Sequence, residues 1–223
     1  MEIKEEEFGG VLVVLQEGDS PRAAPRSHRW MITPEIKSWW EDPVGAMRNI
    51  ADHAICPRMS AWFRRMAKRG EWRLELHLAY HGATQAGFWF TAPGIRGAEV
   101  APPVRRRLPK YLPPDLAAYY RLVGHVDWMG FGAAGRLVGI ANHESLKAYR
   151  YEYHGDEVNP AHTYIFGWSP CGDMIVFTKD GRGGWVDHGN GKVHLLGTAR
   201  DTVNWVYGEL MAGRCPDYFY EET

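Results

Sequence analysis

The last third of the chain alternates short apolar segments with turn residues, and this pattern restricts the fold more than any other feature. Strands are predicted at 164–168, 173–178, 185–187 and 192–196, because β-branched and aromatic residues bounded by glycine, proline or aspartate are typical of strands. The connections are short, and Gly189-Asn190-Gly191 has the composition of a hairpin turn. Only antiparallel strands can be joined so briefly, so the sequence predicts an antiparallel meander.

One amphipathic helix is predicted after the meander. Its apolar residues are spaced at i, i+3, i+4 and i+7, which places them on one side of a helix: Val203, Val206, Tyr207 and Leu210. Asp201 is the predicted N-terminal cap, and Gly213 is the predicted stop. A helix with one apolar side packs on a sheet, so the predicted fold class is α+β, an antiparallel mixed sheet packed by helices.

The first part of the chain predicts three strands, one of them at Phe88-Trp89-Phe90, and three helices. Val11–Leu15 is a short, mostly β-branched run typical of a strand. Helices are predicted to start at Thr33-Pro34-Glu35 and at Asp42-Pro43, since each offers a capping side chain followed by a first-turn proline. A third helix ends at Lys68-Arg69-Gly70. The alternation over 72–80 then predicts a half-buried strand with one face in water.

A proline-rich segment, Pro93–Pro114, separates two parts of the sequence. Its six prolines exclude a regular helix or a central strand, because proline lacks the backbone donor that both need. The segment is therefore predicted to be either a linker or a long connection over the surface. We divide the chain into 1–100, an N-terminal α+β elaboration or small domain, and 101–223, a second domain in which 143–151 is also predicted to be helical.

The composition excludes disorder and gives no support for direct nucleic-acid binding. The chain holds 10 Trp, 11 Tyr and 8 Phe, and such rings supply the apolar area that a packed core needs. The net charge is -1, whereas a nucleic-acid-binding domain needs a basic face. The charge is uneven, at +3 for residues 1–107 and −4 for residues 108–223.

The cysteine pattern and the N-terminus predict a reducing, cytoplasmic setting. The three cysteines, Cys56, Cys171 and Cys215, are odd in number and form no CxxC pair, which is unlike a disulfide framework or a cysteine-rich zinc site. The first residues are acidic, whereas a signal peptide begins with basic ones. The apolar run Val11–Leu15 is too short to span a membrane.

A series of short motifs in residues 108–212 follows an order found in one known superfamily. The motifs are a proline-started aromatic helix, glycine-acid strands, a Trp followed by Asp-His, and a capped last helix: Leu112–Leu116, Ala118–Gly124, Cys171–Phe177, Gly184–His188 and Thr198–Val206. In this order they resemble the SUKH superfamily, which groups bacterial immunity proteins with a fungal cell-wall-synthesis regulator. Residues 131–160 depart from the pattern, and residues 1–100 lie outside it.

The resemblance implies a SUKH-like fold with an N-terminal α+β extension, and a protein that binds rather than catalyses. Its expected partner is a cognate toxin domain, often a nuclease or another enzyme that acts on nucleic acid. The expected mechanism is occlusion of the toxin's active site, with no catalytic residue, no metal, no cofactor, no membrane and no direct contact with nucleic acid. An acidic second half suits a cleft that is basic because it binds phosphates.

The contact candidates lie on polar turns of the predicted meander and on the loop before it. The turns are Lys179–Gly184 and Asp187–Gly191. The candidate partner-binding residues are Asp156, Glu157, Asp180, Arg182, Trp185, Asp187 and His188. Trp185 is open to two interpretations, an exposed anchor or a structural plug.

Two other functions stay open. The first is a regulatory scaffold of the same fold. The second is a hydrolase that uses Cys171, with His162 or His188 as its base, or the pair Asp187-His188 with Asp173 and His194 nearby. No HxH or HExxH spacing supports a metal at that pair. A strand-end turn held by hydrogen bonds would also account for it.

Overall fold

The computed structural model confirms the α+β fold class. It describes residues 1–5, 10–69, 71–78, 84–92, 95–103, 107–127, 136–149, 152–169 and 172–211. The helices are α1 (Arg26–Arg29), α2 (Pro34–Glu41), α3 (Pro43–Asp52), α4 (Pro57–Arg69), α5 (Pro114–Leu122) and α6 (Ala199–Met211). In these described ranges, no helix has the length and apolar character needed to cross a membrane.

The described strands form one mixed sheet of thirteen strands. They are β1 (Glu2–Glu5), β2 (Val11–Gln16), β3 (Glu71–Leu78), β4 (Thr84–Ala92), β5 (Ile95–Ala101), β6 (His125–Asp127), β7 (Arg136–Leu137), β8 (Glu144–Ser145), β9 (His154–Gly155), β10 (Thr163–Trp168), β11 (Met174–Thr178), β12 (Arg182–Val186) and β13 (Lys192–Thr198). Their order is β1-β2-β3-β4-β5-β6-β7-β10-β11-β12-β13-β9, and β8 also pairs with β10. β13 and β9 are parallel. The predicted antiparallel meander is confirmed as β10 to β13.

β5 lies inside the proline-rich segment, so the prediction that this segment holds no central strand was wrong. Its residue Val100 is paired on both sides, with Phe88 of β4 and Val126 of β6. The paired residues of β5 include no proline, so the ladder loses no donor. The sheet thus continues across position 100, and the division into 1–100 and 101–223 stays a prediction.

Helices from both ends of the chain share one hydrophobic core. The predicted apolar face of α4 is fully buried: Met59, Trp62, Phe63 and Met66. On α6, Val203, Val206 and Tyr207 are buried in the same cluster, while the side chain of Leu210 and Gly213 lie outside the described residues. The ring centroids of Trp62 and Tyr207 are 5.7 Å apart, and those of Phe63 and Tyr207 are 5.9 Å apart. α4 and the last described helix, α6, therefore stabilise each other.

The predicted caps of α2 and α3 are confirmed, and that of α6 needs a correction. The Ile36 N–H donates to Thr33 Oγ1 at 3.3 Å, and the Gly45 N–H donates to Asp42 Oδ1 at 2.8 Å. At α6 the Asp201 N–H donates to Thr198 Oγ1 at 3.1 Å, and the Thr198 N–H donates to Asp201 Oδ2 at 2.9 Å. This reciprocal pair is a capping box, so Thr198 is the cap and Asp201 is its partner in the first turn.

The predicted helix at 143–151 was wrong. The chain there forms β8 and a single 3₁₀ turn at Leu146–Ala148. The Tyr153 hydroxyl lies 3.0 Å from the Leu146 carbonyl oxygen, to which it donates, and so it occupies an acceptor that a continued helix would use. Leu146 itself fills a second, smaller apolar cluster on the other face of the meander, together with Ile165, Met174, Val176, Val186 and Val193.

Replacing Trp62 tests whether the two ends of the chain depend on this common core. Trp62→Ala should lower the free energy of unfolding by about 3–5 kcal/mol, because it leaves a large cavity between α4 and α6. Urea denaturation followed by circular dichroism measures the loss. Trp30→Ala is the matched control, since Trp30 is 62% exposed, and it should change stability by less than about 1 kcal/mol. A loss that small for Trp62→Ala would contradict the shared core.

Candidate functional site

The seven predicted contact residues fall into separate groups along β12. At the start of the strand, Arg182 Nε donates to Asp180 Oδ2 at 2.9 Å, and Arg182 Nη1 donates to the Glu157 carbonyl oxygen at 3.2 Å. The side chains of Asp180, Arg182 and Glu157 are all exposed. Hydrogen bonds from the Thr178 hydroxyl and the Arg182 guanidinium hold the pKa of Asp180 below its usual range. We call Asp180, Arg182 and Glu157 the charged turn.

Asp156 has a structural partner beside this turn. Its Oδ2 accepts a hydrogen bond of 2.6 Å from the Leu195 N–H, and its own N–H donates to the Val193 carbonyl oxygen at 3.1 Å. Both contacts lie along β13: Val193 is the last residue of its short parallel pairing with β9, and Leu195 lies beyond that pairing. Asp156 therefore covers backbone groups that a strand at this edge of the sheet would otherwise expose.

Trp185 is half-buried and packs against its own sheet. Its ring stacks on the ring of His194, with centroids 4.2 Å apart and planes 9° from parallel. The two residues are cross-strand partners between β12 and β13, and Trp185 also lies opposite Ile175 of the main core. This position matches the structural interpretation of Trp185 more closely than that of an exposed anchor.

Asp187 and His188 lie just beyond the other end of β12, where they meet Asp173. Met174 of β11 pairs with Val186 of β12. Asp173, which precedes Met174, therefore lies beside Asp187, which follows Val186. His188 Nδ1 lies 2.8 Å from Asp173 Oδ1, and the His188 backbone N–H donates to the same oxygen at 3.1 Å. We call Asp173, Asp187 and His188 the corner. His194, expected nearby, contacts Trp185 instead.

Turn chemistry fixes the corner in place. Asp187 Oδ1 accepts a hydrogen bond of 2.7 Å from the Gly189 N–H. Gly172 has φ +97°, and a Cβ built there would lie 3.5 Å from the His188 ring. A left-handed residue with no side chain is what this turn requires. Asp173 is buried, Asp187 is half-buried and His188 is exposed, so solvent reaches the corner from the imidazole side.

This geometry supports two kinds of chemistry. A histidine whose Nδ1–H donates to a carboxylate has a fixed tautomer and an unprotonated Nε2, which can act as a base. The same three residues can each offer a ligand atom to a metal, and these atoms lie within 4.8 Å of one another. The other predicted base, His162, is exposed on the 3₁₀ turn Pro160–His162. Cys171 and Cys215 lie outside the described residues, and Cys56 is buried.

A half-buried histidine that no sequence pattern singles out joins three separate segments. His143 Nε2 lies 2.6 Å from the Tyr120 hydroxyl of α5, and that hydroxyl donates to the Val138 carbonyl oxygen at 2.8 Å. The Tyr111 hydroxyl lies 3.4 Å from His143 Nδ1. Burial lowers the pKa of His143 to about 4. Nothing in the spacing of residues 111, 120 and 143 indicates that they meet.

A second unpredicted feature is a row of buried carboxylates on the sheet face opposite the core. Glu75, Glu99 and Asp127 are all buried, although the alternation over 72–80 predicted that the Glu75 face would be in water. Arg73 Nε donates to Glu75 Oε1 at 2.5 Å, and His125 Nε2 lies 3.6 Å from Glu99 Oε1. His125 and Asp127 also line a cavity of about 450 Å³. Strand alternation identifies a common face but not whether that face is covered.

Comparison with known proteins adds no relative. No protein-family model, no curated protein and no solved structure matches this chain. The resemblance to the SUKH superfamily therefore stays a prediction.

The half-buried His143 should make stability depend on pH. The native state keeps its imidazole neutral until pH falls to about 4, whereas the unfolded chain takes up the proton near the ordinary pKa of 6.5. Below pH 6.5 the unfolded state binds more protons, so the free energy of unfolding falls with pH, by about 3 kcal/mol once pH reaches the native pKa. Urea denaturation between about pH 4 and 7 measures this slope.

Two variants isolate the contribution of His143. His143→Gln keeps a hydrogen-bonding side chain without the titration, so its stability should fall less over this pH range than that of the unmodified protein. His162→Gln removes an exposed histidine and should leave the slope unchanged. An equal slope in His143→Gln and the unmodified protein would contradict the assignment.

Proposed function

We propose that the chain is a cytoplasmic immunity-type protein that neutralises a cognate toxin by binding it and covering its active site, without catalysis. The observation that carries the proposal is the charged turn. Its exposed Asp180 and Arg182 are already bonded to each other and to the loop at Glu157, on a meander with buried side chains on both faces. Charged side chains that are ordered before binding lose less conformational entropy when a partner arrives.

The chemistry of the charged turn suits a partner that binds nucleic acid. An enzyme that acts on nucleic acid presents Lys and Arg in its cleft to hold phosphates. Carboxylates at Asp180, and at Asp187 at the far end of β12, offer complementary charge to such a cleft. This complementarity raises the association rate more than it lowers the dissociation rate.

One interface can reach both ends of β12. A five-residue strand is about 17 Å long at about 3.4 Å per residue. A stable protein–protein interface buries about 800 Å² on each partner, and a patch of that area is wider than the strand is long. The charged turn and the corner can therefore contact the same toxin domain, with Arg182 and His188 offering donors beside the carboxylates.

Charge reversal at each end of β12 tests the proposal. The partner is the toxin encoded by the neighbouring gene, purified as a complex after co-expression. Glu157→Lys with Asp180→Lys, and separately Asp187→Lys with His188→Ala, should each raise Kd by about 10-fold or more, mostly through slower association at low salt. Surface plasmon resonance measures both rates.

Asp52→Lys is the matched control, because Asp52 is an exposed carboxylate at the end of α3 far along the chain from the meander. It should leave Kd within about 2-fold. No complex with the neighbouring toxin, or unchanged binding in both pairs of substitutions, would contradict the proposal. A wall-synthesis or signalling gene beside this one would favour the regulatory scaffold instead.

A second candidate function, hydrolysis, is favoured by one observation: the Asp173–His188 contact of 2.8 Å leaves Nε2 available as a general base. Chromogenic nitrophenyl esters are the probe. In a hydrolase of this kind, His188→Ala should lower the turnover rate by about 100-fold or more, while His154→Ala, which removes an exposed histidine, should not change it. Equal rates in the two variants would exclude catalysis of this reaction by His188.

A further inference from the structure

We propose that the corner binds a divalent transition-metal cation, with Asp173, Asp187 and His188 as its ligands. The proposal does not depend on the immunity function, since it concerns a cation and not a partner protein. One ligand atom from each of the three residues lies within 4.8 Å of the other two. Among the described residues, no other group of three His, Cys, Asp or Glu side chains is arranged this closely.

The contact between Asp173 and His188 is the starting point. Their Oδ1 and Nδ1 atoms are 2.8 Å apart with a proton between them. A cation that replaces this proton contacts both atoms, and an oxygen of Asp187 completes three ligands. Zinc–nitrogen and zinc–oxygen bonds are about 2.0–2.2 Å long, so the two atoms must separate by about 0.5 Å to reach tetrahedral spacing. His188 is exposed, so its ring has room for this shift.

Both carboxylates keep acceptor capacity for a cation. Asp173 Oδ1 accepts from two N–H groups of His188, and Asp187 Oδ1 accepts from the Gly189 N–H. The Oδ2 atoms of both residues accept no hydrogen bond from any described residue. Asp173 is also buried, and its carboxylate attracts a cation more strongly there than in bulk water.

The backbone holds the ligands before the cation arrives. Pairing of Met174 with Val186 aligns the ends of β11 and β12, and the Asp187–Gly189 bond closes the turn. Gly172, at φ +97°, supplies the left-handed backbone conformation of the turn that leads into Asp173. Because the ligands sit on a rigid meander, binding costs little conformational order.

The ligand set determines which cations fit. An imidazole nitrogen favours zinc, cobalt, nickel or copper, whereas magnesium and calcium prefer oxygen ligands alone. Three protein ligands leave at least one position for water, as in sites that are not purely structural. Binding at Nδ1 moves the imidazole proton to Nε2, so the ring stays neutral and the Nε2–H faces solvent.

Isothermal titration calorimetry with Zn²⁺ tests the proposal on the full chain. The unmodified protein should bind one Zn²⁺ per chain with a single-site isotherm. Mg²⁺ at the same concentration should not compete. Co²⁺ bound at the corner should give the visible absorption that is typical of cobalt with few ligands. The imidazole ligand should shift the position of that absorption.

Asp187→Asn and His188→Ala should each weaken Zn²⁺ binding by about 10-fold or more. Asp187→Asn keeps an oxygen that can accept from the Gly189 N–H, so the turn is preserved, and circular dichroism checks that both variants fold. His154→Ala, which removes another exposed histidine near the same hairpin, is the control and should bind as the unmodified protein does. Absence of micromolar Zn²⁺ binding, or equal affinity in all four proteins, would overturn the proposal.

Discussion

The contact between α4 and α6 is the interaction on which the rest of the fold depends. Trp62 and Phe63 are separated from Tyr207 by more than 140 positions along the chain, yet their rings pack within 6 Å against the same side of the sheet. Without this contact α6 would lose its apolar cover, and the β12 and β13 strands on which it packs would lose theirs. The meander that carries both candidate sites is therefore held from the N-terminal half of the chain.

Strand register then decides which residues can act together. A meander places successive turns at opposite ends of the sheet, so the charged turn and the corner are separated by the full length of β12. The same register brings Asp173 to His188, across fifteen positions of sequence. The two sites are thus independent in chemistry, although a single macromolecular partner is wide enough to cover both.

Sequence patterns predicted those elements whose determinants are local. Thr33 and Asp42 cap helices through bonds to residues three positions away, and the meander follows from short turns between β-branched runs. The failures involve contacts between distant residues. β5 was missed because the prediction counted the prolines of the whole segment. It could not know which backbone N–H groups of that segment donate to neighbouring strands. The His143 network and the buried Glu75 were missed because burial depends on what covers a residue, and alternation in one strand carries no information about that.

The burial of carboxylates also changes what the uneven charge means for binding. By count, residues 1–107 are basic and residues 108–223 are acidic. Glu75 and Glu99 in the first part and Asp127 and Asp173 in the second are buried, so a partner cannot contact these four carboxylates. The charge count of each part therefore overstates the number of acidic groups that a partner can reach. Attraction to a basic partner must come from a few exposed carboxylates on the meander, which makes their local geometry more important than the charge of the half that contains them.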